Sequence, residues 1–158
     1  MKVDFTGVVT SFDGIPPGDF FMSDLRSGGA FGLCVAIADN KKAALSLPSA
    51  NSKDRAWIQV GGLTHQTFIH FPDAVLRLKL SSFTAVVTGA GLICVGTQRF
   101  IRGYEQQGFQ YSTFNVESGA MDQIAEHEGV QFSQWSAGII IDGKFEELYS
   151  FPSIRSGP

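Results

Sequence analysis

The side chains of this sequence that can bind anions or move protons gather in a few places. Arg99, Arg102 and Tyr104 share one run, Gln98-Arg99-Phe100-Ile101-Arg102-Gly103-Tyr104. A guanidinium beside aromatic rings can grip a carboxylate or phosphate, or stack on a ring face. On a strand, alternation puts Arg102 and Tyr104 on the same face as Phe100. The plain alternative is an Arg102 stem lying over Phe100 at the rim of a core. Arg99, Arg102 and Tyr104 are therefore candidate ligand-binding residues.

His65 and His70 are the next candidates, with Asp73 close behind in sequence. Residues five apart on a strand point to opposite faces, so the two imidazoles do not grip one metal without a bulge. The helical zinc spacing of three or four is absent. If Phe68 faces a core, His70 faces the same way. The strand then either turns His70 from the main core or is covered on both faces. No metal site is expected from this segment.

Glu126-His127-Glu128 is acidic enough to attract a cation, but neighbours on a helix point about 100° apart and do not converge. A solvated helix end is the simpler reading. Trp57 and Trp135 each start a strand-like run, where an indole caps a core or forms a binding surface. Core packing is the default for both. Cys34 and Cys94 sit inside apolar runs and read as buried thiols that behave as small hydrophobes. A disulfide between them is the alternative, uncommon inside cells.

Several chemistries have no motif to carry them. The chain lacks Gly-x-Gly-x-x-Gly, a phosphate loop and a Gly-x-Ser-x-Gly nucleophile elbow. It also lacks a Cys-x-x-Cys pair. Neither cysteine stands in an electropositive setting that would make it a nucleophile. The expectation leans away from an enzyme, with no cofactor.

The elements that must position these residues follow from composition and pattern. The chain has 158 residues, of which 44% are hydrophobic and 17% charged. That is enough to bury a core without disulfides or metals, and it excludes intrinsic disorder and coiled coil. Residues 1–79 carry 8 basic and 7 acidic side chains, and residues 80–158 carry 4 and 8. No basic stripe exists for nucleic acid, and no apolar run approaches a membrane span. The first residues, Met1-Lys2-Val3-Asp4-Phe5, lack the apolar stretch of a signal peptide, so a soluble cytoplasmic protein is expected.

There are 14 Phe and 18 Gly, and short β-prone runs recur between the glycines. The pattern predicts a mainly β, single-domain antiparallel sandwich or barrel over residues 1–152, with a flexible tail over 153–158. Val75 to Leu80 alternates Leu76, Leu78 and Leu80 with Val75, Arg77 and Lys79, a half-buried strand whose expected partner is Thr67 to Phe71. Ala30 to Ala38 puts Phe31, Leu33, Val35 and Ile37 on one face and small residues on the other, so something must pack closely over the small face. Gln106-Gln107-Gly108 turns one strand back into Phe109 to Val116. Asp142-Gly143 marks a type I′ turn between two strands. One short helix is predicted near 119–128, capped by Ser118 and Gly129, with Met121, Ile124 and Ala125 on one face.

Two functions follow as expectations. The first is a non-catalytic module that binds another protein or assembles with its own copies as a homo-oligomer. Its basis is a Phe-rich, charge-poor chain whose strands have two apolar faces. The second is a small β-barrel ligand carrier or enzyme with its site at one barrel mouth, near Arg99, Arg102 and His70.

Overall fold

A computed structural model describes residues 7–23, 30–49, 55–85, 89–105, 110–123 and 128–152. Its strands are β1 (Val8–Thr10), β2 (Phe20–Ser23), β3 (Phe31–Ala36), β4 (Lys42–Ser46) and β5 (Ala56–Gln59). Next come β6 (Phe68–Phe71), β7 (Val75–Leu78), β8 (Phe83–Thr84), β9 (Leu92–Val95) and β10 (Gln98–Tyr104). The last are β11 (Tyr111–Asn115), β12 (Met121–Asp122), β13 (Val130–Phe132), β14 (Trp135–Ile141) and β15 (Lys144–Phe151). The fold is mainly β, and among the described residues helical structure is confined to short 3-10 turns such as Phe12–Gly14. No helix there is long and apolar enough to cross a membrane.

The strands form two sheets. The larger runs β1-β6-β2-β3-β4-β5-β10-β9-β13-β8, with β11 on β10 and β12 on β11. The smaller runs β15-β14-β7. β10 and β5 pair in parallel, whereas the neighbours built through hairpins are antiparallel. The large sheet does not close, because β1 and β8 end it without pairing each other. Of the sandwich and barrel expected, the structure takes the sandwich-like arrangement.

One buried cluster joins the sheets. Leu33, Leu45, Ile101 and Phe114 of the large sheet meet Trp135, Ala137, Ile139 and Phe151 of the small one. The Trp135 indole N–H donates to the Ala90 carbonyl at 2.9 Å, so the buried ring keeps its polar tip satisfied.

The small face of β3 is roofed, as its composition demanded. Phe31, Leu33 and Val35 enter the main cluster, while Cys34 enters a second one with Phe12, Ile15, Phe21, Ala44, Leu63 and Phe68. Phe21 lies so close to Gly32 that a β-carbon there would stand 2.6 Å from the ring Cζ. The Asp142-Gly143 turn joins β14 to β15, with Ile141 opposite Lys144. Both turn residues have positive φ, 50° and 76°, as a type I′ turn requires. Gln106-Gln107-Gly108 lies outside the described residues, but β10 and β11 pair antiparallel on either side of it.

Two expectations are corrected. The start of the helix predicted near 119–128 is strand instead: Met121–Asp122 is β12, paired with Phe114 and Thr113, and Ile124 to His127 lie outside the described residues. The Asn115 side-chain oxygen accepts from the Glu117 and Ser118 amides, and Gly119 takes φ 69°. That turn folds the chain back onto β11 where Ser118 looked like a helix cap. β7 pairs with β14 rather than with Thr67 to Phe71, and β6 instead lies between β1 and β2. The two cysteines are free and form no disulfide. The tail over 153–158 lies outside the described residues.

Candidate functional site

Strand alternation divides the sequence candidates among separate places. On β10, Ile101 and Gly103 face the main cluster, so Phe100, Arg102 and Tyr104 share the opposite face. Arg102 is 6% exposed, and its guanidinium lies 4.3 Å from the Tyr111 ring centroid. Its Nη1 donates to the Tyr104 hydroxyl at 3.3 Å. Register explains the company: Tyr104 pairs with Tyr111 across β11 and with Trp57 across β5. The Tyr104 ring is 6.3 Å from Trp57 and 5.7 Å from Tyr111, and Arg55 lies 4.6 Å over it. Two cations thus alternate with three rings on one sheet face. Each contact of this kind contributes about 0.5–2 kcal/mol, most where water is excluded.

Arg99 is three residues from Arg102 and belongs to the other face. It donates from Nη1 to the Thr97 carbonyl at 2.8 Å and stands 4.0 Å from Glu117. Arg99 lines a cleft of about 770 Å³ whose walls come from both sheets, with Phe20, Phe71, Leu76, Leu78 and Val116 among them.

His70 is in a third place. Phe68 and His70 turn toward the second cluster, while Ile69 and Phe71 turn toward the main one, so the strand is covered on both faces. The His70 Nε2 and an Asp19 carboxylate oxygen are 2.6 Å apart, an ion pair when the imidazole is protonated. Asp73, the nearer acid in sequence, is exposed and is not this partner. His65 is exposed beside a turn and meets none of the other candidates through a described hydrogen bond or ion pair. Trp57 belongs to the Arg102 face and Trp135 to the core. Of Glu126-His127-Glu128, only Glu128 is described, and it is exposed. Among the described residues, no group of three His, Cys, Asp or Glu side chains is placed to hold a metal ion.

Burial disfavours the thiolate form of both cysteines. Burial pushes Cys34 up to about 11, with Lys42 opposing the shift and Asp19 adding to it. The Cys34 thiol donates to the Ile15 carbonyl at 3.3 Å. Burial also raises Cys94, against the pull of Arg99.

Other features emerge only from strand pairing. Arg55, Tyr111 and Asp19 complete the clusters, and the sheet ends carry uncovered apolar residues. Val9 on β1 is 70% exposed, Phe83 on β8 is 60% exposed, and Leu80 before β8 is 79% exposed. Tyr111 was within reach of the sequence. A hairpin turning at Gln106 to Gly108 brings Tyr104 and Tyr111 together.

Comparison with protein-family models, curated proteins and solved structures found no match to this chain.

Proposed function

We propose that this chain is a non-catalytic protein-binding β module whose first partner is a second copy of itself. The carrying observation is the state of two terminal strands of the large sheet, β1 and β8. β1 is Val8-Val9-Thr10, with both valines exposed and no charge or proline within it. β8 presents Phe83, packed edge-on at 6.0 Å against Phe132 and otherwise open to solvent. Sheet edges are normally blunted by charge, proline or a covering segment, because open N–H and C=O groups pair with another chain. An edge of one copy meeting an edge of the next satisfies those groups and covers the apolar side chains. A cytoplasmic setting accords with this reading, since it keeps thiols such as Cys34 and Cys94 reduced.

Native mass spectrometry with a denatured control tests the proposal. A defined oligomer without added mass supports it, and a bare monomer at high protein concentration overturns it. A second reading rests on the Arg102 face, where two guanidiniums and three rings suit an anion with a flat body. The same spectra test it: a retained small-molecule mass that is lost in Arg55→Ala would support that reading.

A further inference from the structure

The small sheet has an edge whose backbone and side chains ask for a different partner. The Lys79 amide donates to the Gln134 carbonyl at 3.1 Å, which extends the β7–β14 register by one pair. In an antiparallel ladder the bonded positions alternate, so Val75, Arg77 and Lys79 bond toward β14. Leu76 and Leu78 therefore turn their N–H and C=O groups outward. Among the described residues no backbone group meets them. The Arg99 cleft is lined along this segment by Ala74, Val75, Leu76, Leu78 and Leu80. Val75 and Leu76, from opposite faces of β7, both line it, so the cleft runs along the strand edge. Its walls also include Phe20, Phe71 and Val116, with Asp19, Arg99 and Glu117 as the charged residues that line it.

We propose that an extended partner segment alternating apolar and acidic residues adds as a strand to the β7 edge, with its apolar side chains in the cleft. Strand addition of this kind takes affinity from main-chain bonds and specificity from alternate side-chain pockets. Charge fixes the other half of the pattern. The outer row of β7 is Val75, Arg77 and Lys79, and all three are exposed. Arg77 also packs over the Phe145 ring at 4.1 Å. An added strand sets alternate residues directly opposite this row, where acids attract and bases repel. Like charge disfavours β7 of a second copy, which would bring Arg77 and Lys79 against themselves. The surface is thus separate from the self-assembling ends of the large sheet.

Two capped peptides test this, one alternating Val and Leu with Glu, the other identical with Lys for Glu. Fluorescence anisotropy against the full chain should show a preference for the Glu peptide on the order of tenfold, from two exchanged charge pairs. Arg77→Glu/Lys79→Glu should reverse the preference, and both positions are exposed, so the fold should survive. Bound Glu peptide should slow hydrogen exchange at the Leu76 and Leu78 amides. Equal affinity for the two peptides, or a preference that survives the charge reversal, would overturn the proposal. So would tight binding of this chain's own Lys144–Phe151 sequence in place of the alternating peptide, which would assign the edge to a second copy. The oligomeric state measured in the same samples separates the two claims. Self-association without peptide binding overturns this inference alone.

Discussion

Gly32→Ala puts one methyl group where the second cluster is tightest. The added carbon would stand 2.6 Å from Phe21 Cζ and 3.0 Å from the Leu45 carbonyl oxygen. Phe21 cannot step aside cheaply. Its ring makes edge contacts with Phe12 at 5.7 Å and with Phe68 at 5.3 Å. The Leu45 oxygen is main chain in β4, paired to β3. Overpacking of this sort costs about 1–3 kcal/mol. Against it, replacing glycine inside a strand recovers roughly 0.5–1 kcal/mol of backbone entropy. The net expectation is a loss of about 1–2 kcal/mol by the same two effects, read as a lower urea midpoint at unchanged m-value. Phe21→Leu in the same chain should relieve the clash, so the double variant should be more stable than the sum of the single losses predicts. A neutral or stabilising Gly32→Ala, or strict additivity with Phe21→Leu, would refute the roofed-face reasoning.

Three further outcomes follow from the same geometry. Cys34 should resist alkylation in the folded protein at pH 8 and react on unfolding, read by mass spectrometry. Burial raises its thiol to about 11, above the ordinary thiol value of 9.0, so its contribution is fully present below about pH 9 and lost as pH climbs to about 11. Thermal melts should therefore fall across that window, by on the order of 2–3 kcal/mol of stability. Trp135→Phe should cost about 1–3 kcal/mol in guanidinium titrations, because the Ala90 carbonyl loses its 2.9 Å donor in the core. Asp19→Ala should destabilise by a similar amount, about 1–3 kcal/mol, by leaving the buried His70 without its 2.6 Å partner.

What the sequence made legible was local or was set by period. Asp142-Gly143 specifies its turn by backbone conformation alone. The large and small faces of β3 specify a roof over the small one. Alternation placed Arg102 with Tyr104 and faced His70 with Phe68. Two of the failures come from pairing between distant segments. Val75–Leu78 finds its partner in Trp135–Gly138, some 60 residues on, where pattern can only suggest the neighbouring strand. Asp19 meets His70 across 51 residues, while Asp73 had only proximity in sequence. Ser118, Met121 and Ile124 match a helical cap and spacing, but the Asn115 turn and the β11 edge offer Met121–Asp122 a ladder instead. Arg99 and Arg102 looked like one site because they are close in sequence, and three residues on a strand puts them on opposite faces.

Self-assembly through the ends of the large sheet is tested most directly by sedimentation velocity on the wild type and on Val9→Lys/Phe83→Lys. Both positions are exposed, so the substitutions should leave the fold intact, and a charge on an edge blocks pairing. The wild type should associate in a concentration-dependent way and the double variant should stay monomeric. A wild type that stays monomeric, or a double variant that associates as strongly as the wild type, would contradict it.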